Sequence, residues 1–335
     1  MLPTRRDSLL AAATTAGAGV MWRAERPRAL AQEAPPETTR IRLARHPSLC
    51  TMPQYVVDEL LAAEGISQVD YVVSDSGPLL SEAIAAGQVD FSLHFIGPFI
   101  LLLDRGRKVT MLAGIHVGCF ELFAKDGINS VADLKGRSVG TPALESSAHV
   151  FLSAMAALVG LDPTKDINWV TSADPKPIEL FLDDKVDAFL GFPPEPQRLR
   201  AQNVGNVIVN SAQDRPWSQY FCCMLAGNPE FARTKPIAAK RVVRAMLRAT
   251  DLCLSAPTRV ARQVVDRGFT PNYDYAVQTL SDVPYGKWRD YDPEDTIRFY
   301  ALRLHEAGMI KSSPDRIIAD SADWRFLREV RKELG

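Results

Sequence analysis

Long apolar runs are scarce in this chain of 335 residues. Past residue 31 no segment is both long and apolar enough to cross a bilayer, so a soluble protein is expected. Strong charge of either sign is missing as well: 39 lysines and arginines stand against 40 aspartates and glutamates, a formal net charge of -1. That balance argues against a nucleic-acid or acidic-membrane partner, because both are held by a basic surface. Cysteine is sparse. Cys50, Cys119, Cys222, Cys223 and Cys253 are too few and too irregularly spaced for a disulfide scaffold, and an odd count leaves at least one free thiol. The first of them, Cys50, lies too far along to be the lipid-bearing residue of a cleaved leader. No Ser/His/Asp set, paired carboxylates, Gly-rich phosphate loop, long repeat or low-complexity tract stands out. No catalytic residue and no cofactor is therefore expected.

What is present is ordinary globular composition, 46% hydrophobic and 24% charged, in a chain long enough for two lobes rather than one. Residues 1–31 read as an export signal. Arg5-Arg6 precedes an Ala- and Gly-rich run to Trp22, followed by Arg23, Arg26 and Arg28 and the small-x-small sequence Ala29-Leu30-Ala31. The leader resembles a twin-arginine signal, with Ser8 where that pattern prefers a large apolar residue, so the general secretory route stays open. Cleavage near Ala31 places the mature protein in the periplasm.

From residue 40 onward short apolar strands alternate with helices. Strands are expected at 40–44, 69–73, 89–93 and 109–113, and again at 118–124, 138–140, 167–170, 186–191, 207–210 and 221–227. Helices between them imply parallel sheets with right-handed crossovers, whose ligands sit at the carboxyl ends of the strands. One stretch stands out: Gly140-Thr-Pro-Ala-Leu-Glu-Ser-Ser-Ala-His149 leads from a strand into the apolar helix 150–159, with Ser146 or Ser147 as N-cap and Gly160 just past the end. The first amides of such a helix lack internal partners and face the positive end of its dipole, which suits an anion. Beyond Pro229 the chain is helical, with helices expected at 237–255, 259–267, 273–281, 293–307 and 321–334.

Taken in order, Ser-Gly-Pro-Leu-Leu-Ser-Glu-Ala-Ile-Ala-Ala-Gly-Gln-Val-Asp-Phe (76–91), Val-Ala-Asp-Leu-Lys-Gly-Arg-Ser-Val-Gly (131–140), Ser-Ser-Ala-His (146–149) and Val-Asp-Ala-Phe (186–189) resemble the solute-binding proteins of nitrate/sulfonate/taurine-type ABC importers. That superfamily also holds thiamine-pyrimidine-precursor binders. The resemblance covers about residues 40–228. It implies a type II periplasmic binding fold: two doubly wound α/β lobes joined by a two-strand hinge, with a helical C-terminal tail. Lobe 1 would hold 32–117 and 225–335, and lobe 2 would hold 118–224. Carried over, the cleft is lined by His46, Ser48, Ser76, Gly77, His94, Ile96 and Gly97 from the first lobe, and by Ser146, Ser147, Ala148, His149 and Glu195 from the second. Here the family's aromatic-Glu-Pro is altered, with two prolines separating Phe192 from Glu195. The implied partners are a small solute and an inner-membrane permease, and the implied state is a monomer.

Two alternatives share this fold. Eukaryotic thiamine-pyrimidine synthases carry a cysteine-rich run near the position of Cys222-Cys223, but an export signal argues against such a cytoplasmic reaction, and the pair reads as small buried residues. A soluble sensory module would use the same cleft. His46, His94, His116 and His149 are expected in loops or helix starts that follow strands, without the spacing of a metal site. Apart from Arg45 no arginine falls on the cleft loops, which favours a sulfonate, a carboxylate or a pyrimidine-like solute over a multiply charged ion.

Overall fold

The computed structural model describes residues 33–46, 48–73 and 77–335, and for residues 77–79 the backbone only. The export signal and Ser76 lie outside the described residues.

Among the described residues ten strands form two sheets. β1 (Arg40–Arg45), β2 (Gln68–Val73), β3 (Phe91–Phe95), β4 (Thr110–Val117) and β10 (Phe221–Gly227) make the first, in the order β2-β1-β3-β10-β4. β5 (Glu121–Ala124), β6 (Ser138–Thr141), β7 (Asn168–Thr171), β8 (Ala188–Gly191) and β9 (Asn206–Asn210) make the second, in the order β7-β6-β8-β5-β9. β1 runs parallel to β2 and β3, and β6 runs parallel to β7 and β8, as βα alternation predicts. β10 and β5 correct that expectation, since each lies antiparallel to both of its neighbours.

The reason is the path between the sheets. The chain leaves the first sheet at the carboxyl end of β4 and enters the second at once. There Glu121, the first residue of β5, pairs with Gly191, the last of β8. It returns the same way, because Phe221 at the start of β10 pairs with Val117 at the end of β4. A strand entering at the carboxyl edge has to run against its parallel neighbours. Both carboxyl edges therefore lie at the crossings.

The two crossings touch. A methyl group on Gly118 would sit 2.2 Å from the backbone of Ser211, so only glycine fits. Ser211 closes the pairing: its amide donates to Phe120 O (2.9 Å), and its Oγ accepts from Phe120 N (2.9 Å).

β4 runs four residues beyond its expected end. Gly114 and His116 break the apolar pattern, yet the Phe221 ring fills the space over Gly114 so closely that a Cβ there would meet it at 2.2 Å. His94 and His116 consequently stand on strands, not in loops. The expected last helix, 321–334, starts only at Arg325, and a helix not expected, Pro314–Ser321, precedes it; between them Asp323 N bonds Met111 O and draws the chain to β4.

One hydrophobic cluster runs through both sheets, and residues 35–335 make up a single compact unit. The helix Ser147–Leu158, which follows β6 of the second sheet, carries Phe151 into rings of Phe95, Phe120, Trp217 and Tyr300, with centroids at 4.9, 5.3, 5.2 and 5.7 Å. Tyr300 belongs to the helix Pro293–Glu306, so the C-terminal helices help join the two sheets. A smaller cluster of Phe123, Ile178, Phe181, Phe189 and Leu199 belongs to the second sheet alone.

Candidate functional site

The carboxyl end of β1 delivers His46, and the end of β3 delivers His94. Their rings meet edge to face, with centroids 5.2 Å apart. His46 Nε2 lies 3.0 Å from Leu93 O, and a carbonyl only accepts, so Nε2 carries the proton. His94 Nδ1 likewise donates to Phe95 O at 3.1 Å, which leaves Nε2 to accept from the Ser147 hydroxyl at 3.4 Å. Burial lowers the pKa of both imidazoles, and His94, with His46 beside it, falls to about 3. The first sheet thus offers two neutral imidazoles, and Ser147 of the second sheet's helix touches one of them.

The rest of the helix start is occupied internally. Ser146 is the N-cap, accepting from His149 N (3.4 Å) and lying 3.0 Å from Thr141 Oγ1. Ala148 is buried. His149 turns to Trp169 (4.5 Å between ring centroids), and its Nδ1 accepts from Glu145 N at 3.0 Å. Burial lowers its pKa to about 4 despite the neighbouring Glu145. Gly97 is required by close approach, because a Cβ there would stand 2.5 Å from the Phe95 ring and 2.7 Å from Val150. Ile96 beside it is fully buried. Gly77 opens the helix Gly77–Ala85.

Two further contacts tie the sheets at this edge. Leu49 N donates to Pro193 O at 3.0 Å, joining the loop after β1 to the loop after β8. Arg105 pairs with Glu145 over a cavity of about 30 Å³ lined in part by Ser81, Pro98 and Leu101. Glu195 begins the helix Glu195–Gln202 and accepts from Phe192 N at 3.3 Å, and burial raises its pKa to about 7. Arg45 is directed elsewhere, over the Phe269 ring and onto Gly268 O.

Of the residues expected in the cleft, then, His46, His94 and Ser147 come together, and Glu195 is held locally by Phe192 N. Ser48 joins a different group. Its Oγ is 3.0 Å from Cys50 Sγ, and Cys50, His116, Cys119 and Cys223, all buried, hold their ligand atoms within 4.8 Å of one another. Sequence reading did not assemble this set. The His-x-x-Cys spacing of His116 and Cys119 was its only local signal.

Two sheets whose carboxyl edges are joined by paired crossings define the periplasmic-binding-protein fold, and solved structures agree. The nitrate-binding protein NrtA of Synechocystis PCC 6803 superposes with a TM-score of 0.76 at 15% identity, covering 90% of each chain. The alkanesulfonate-binding protein SsuA of Xanthomonas axonopodis pv. citri, bound to MOPS, gives 0.71 at 17% identity, covering 86% of this chain and 99% of its own. A family model described as the NMT1-like family matches residues 34–266, most of the chain, and the protein belongs to that family. A relative from Brucella abortus (strain 2308), provisionally named a binding protein, is 27% identical over 191 residues. That match spans 56% of this chain and 58% of the relative, less than two thirds of its length.

Proposed function

We propose that this chain is the solute-binding component of an ABC importer outside the cytoplasm, exported through residues 1–31. It holds one small solute between its sheets and presents the closed form, as a monomer, to a permease in the inner membrane. The observation that carries this reading is the paired crossing at Gly118 and Ser211, which joins the two carboxyl edges and is where a hinge between the halves would lie. On this reading the first sheet, including all of β10, moves with the C-terminal helices as one body and the second sheet between the crossings as the other; the boundary expected at 224/225 would cut β10, which lies wholly in the first sheet. The names of the fold's relatives, nitrate-binding and alkanesulfonate-binding, point the same way.

His94 touches Ser147 in this arrangement, so a solute seated there replaces that contact. It meets neutral imidazoles, a hydroxyl and the first amides of the helix, and the arginine at this edge, Arg105, is already paired with Glu145. Such a lining suits a sulfonate, a monocarboxylate or a pyrimidine-like heteroaromatic and serves a multiply charged anion poorly. Binding, not turnover, is the role we assign.

A thermal-shift screen of the protein against sulfonates, carboxylates and pyrimidines tests this. A true solute at about a hundred times its Kd adds about 2.7 kcal/mol of stability. His94→Ala and Ser147→Pro should abolish that shift while the circular dichroism stays native. The reading fails if all three classes leave the midpoint unmoved, or if both folded variants respond like the parent.

A further inference from the structure

The four-residue group beside the crossings is not needed to hold a solute, and its chemistry is of another kind. Cys50 comes from the loop after β1, His116 from β4, Cys119 from the outgoing crossing and Cys223 from β10. All four are buried, with exposures of 2%, 0%, 7% and 3%. Their ligand atoms lie within 4.8 Å of one another, somewhat wider than the edge of about 3.8 Å in a tetrahedron with metal–sulfur bonds of about 2.3 Å. A small contraction would bring them onto one ion.

An independent observation points to a ligand at the centre. His116 Nδ1 lies 3.0 Å from Val117 O and must donate to it, which leaves the Nε2 lone pair directed elsewhere. That Nε2 is fully buried and has no hydrogen-bond partner. A buried polar atom without a partner costs about 1–3 kcal/mol unless something satisfies it. A backbone carbonyl fixing the far nitrogen of an imidazole is also how ligating histidines are commonly oriented. The surroundings support the thiols in the same way: Ser48 Oγ, 3.0 Å from Cys50 Sγ, can donate to a thiolate there, and the Tyr285 hydroxyl donates to Cys50 O at 2.8 Å. The strand register slips on both sides of Cys223, and that irregularity sets its side chain apart from a regular ladder.

We propose that Cys50, His116, Cys119 and Cys223 form a tetrahedral zinc site that ties the outgoing crossing to the first sheet. Three thiolates and one neutral imidazole match the Cys3His set of closed structural zinc centres. On binding, three S–H bonds break and three Zn–S bonds form. The three protons pass to solvent, the imidazole contributes its lone pair, and nothing is oxidised or reduced. The ion would fix the base of the crossings, and the inference stands whichever solute the chain carries. Cys222, with its Sγ 3.5 Å from that of Cys119, is the one thiol that could compete by closing a disulfide.

The test uses the whole chain, purified with reductant and without chelator. Elemental analysis should find one zinc per chain. Removal by chelation should lower the melting midpoint, and zinc should restore it. Cobalt added to the metal-free protein should give the thiolate charge-transfer band and the intense visible bands of a tetrahedral sulfur-ligated ion. Cys223→Ser and His116→Ala should each weaken metal binding at least tenfold, while Cys253→Ser, a buried thiol outside the group, keeps it. The cobalt spectrum of the parent protein decides the matter even if a variant fails to fold. Absence of the thiolate band, or a disulfide joining Cys119 to Cys222 or Cys223 in the isolated protein, would overturn the proposal.

Discussion

In each sheet an aspartate placed just before the third parallel strand reaches back to the first. Asp90 accepts from Arg42 N at 2.7 Å and from its guanidinium, and Asp187 accepts from Ser138 N at 2.8 Å and Oγ at 2.7 Å. The plan is shared, but the two carboxyl edges are not alike. At the second sheet nearly every polar group near the helix start is spent locally: Ser146 on its cap, His149 on Glu145 N, Glu195 on Phe192 N. At the first sheet His94 offers Nε2 to Ser147 of the second sheet's helix, and His116 keeps Nε2 for the thiols around it. On the proposed reading the recognition chemistry would come mainly from the first sheet, with Ser147 of the second sheet's helix facing His94.

The largest test of that division is Phe151→Ala. Its ring leaves the second sheet's helix to pack among Phe95, Phe120, Trp217 and Tyr300, so its loss should cost about 3–5 kcal/mol in urea unfolding. A split into two unfolding transitions would show that this ring is the main tie between the halves, and a cost under about 1 kcal/mol would show that it is not.

Acid should next separate the two edges. The folded pKa of His94 lies near 3 and that of His149 near 4, both depressed below an unfolded value of about 6.5. A depressed histidine contributes stability that is complete above the unfolded pKa and is lost as pH falls towards the folded one. Unfolding free energy should therefore drop below pH 6.5 by at most about 1.4 kcal/mol per pH unit for each residue. His149→Gln should remove slope only down to about pH 4, whereas His94→Gln removes it to lower pH. Identical profiles for the two variants would erase the distinction.

The smallest effect belongs to Ser146→Ala. Loss of the N-cap should cost about 1 kcal/mol in the same unfolding measurement and leave zinc content unchanged. A change in metal content would mean the two edges are coupled more tightly than their separate hydrogen bonding implies.

Much of this was legible from residues 40–228 without coordinates. The βα alternation, a cap at Ser146 or Ser147, of which the structure uses Ser146, and Gly160 at φ +81° beyond the helix were all read from local pattern. The helical end past residue 229 was read the same way, except that the helix Pro314–Ser321 was not expected and the last helix starts at Arg325 and not at 321. The site was less legible. Of the residues placed in the cleft from resemblance, His46, His94 and Ser147 meet, whereas Ser48 stands with Cys50, and His149 turns to Trp169. A one-dimensional motif marks which loop a residue occupies, but not which way a rotamer points once its hydrogen bonds are satisfied.

By itself the sequence determined the elements, because periodicity, caps and turn residues act over a few positions. Only the tertiary structure decided that β5 and β10 run against their neighbours, since strand direction depends on the edge at which the chain re-enters a sheet. It alone brought Cys50, His116, Cys119 and Cys223 to one point, across separations along the chain that no local rule spans.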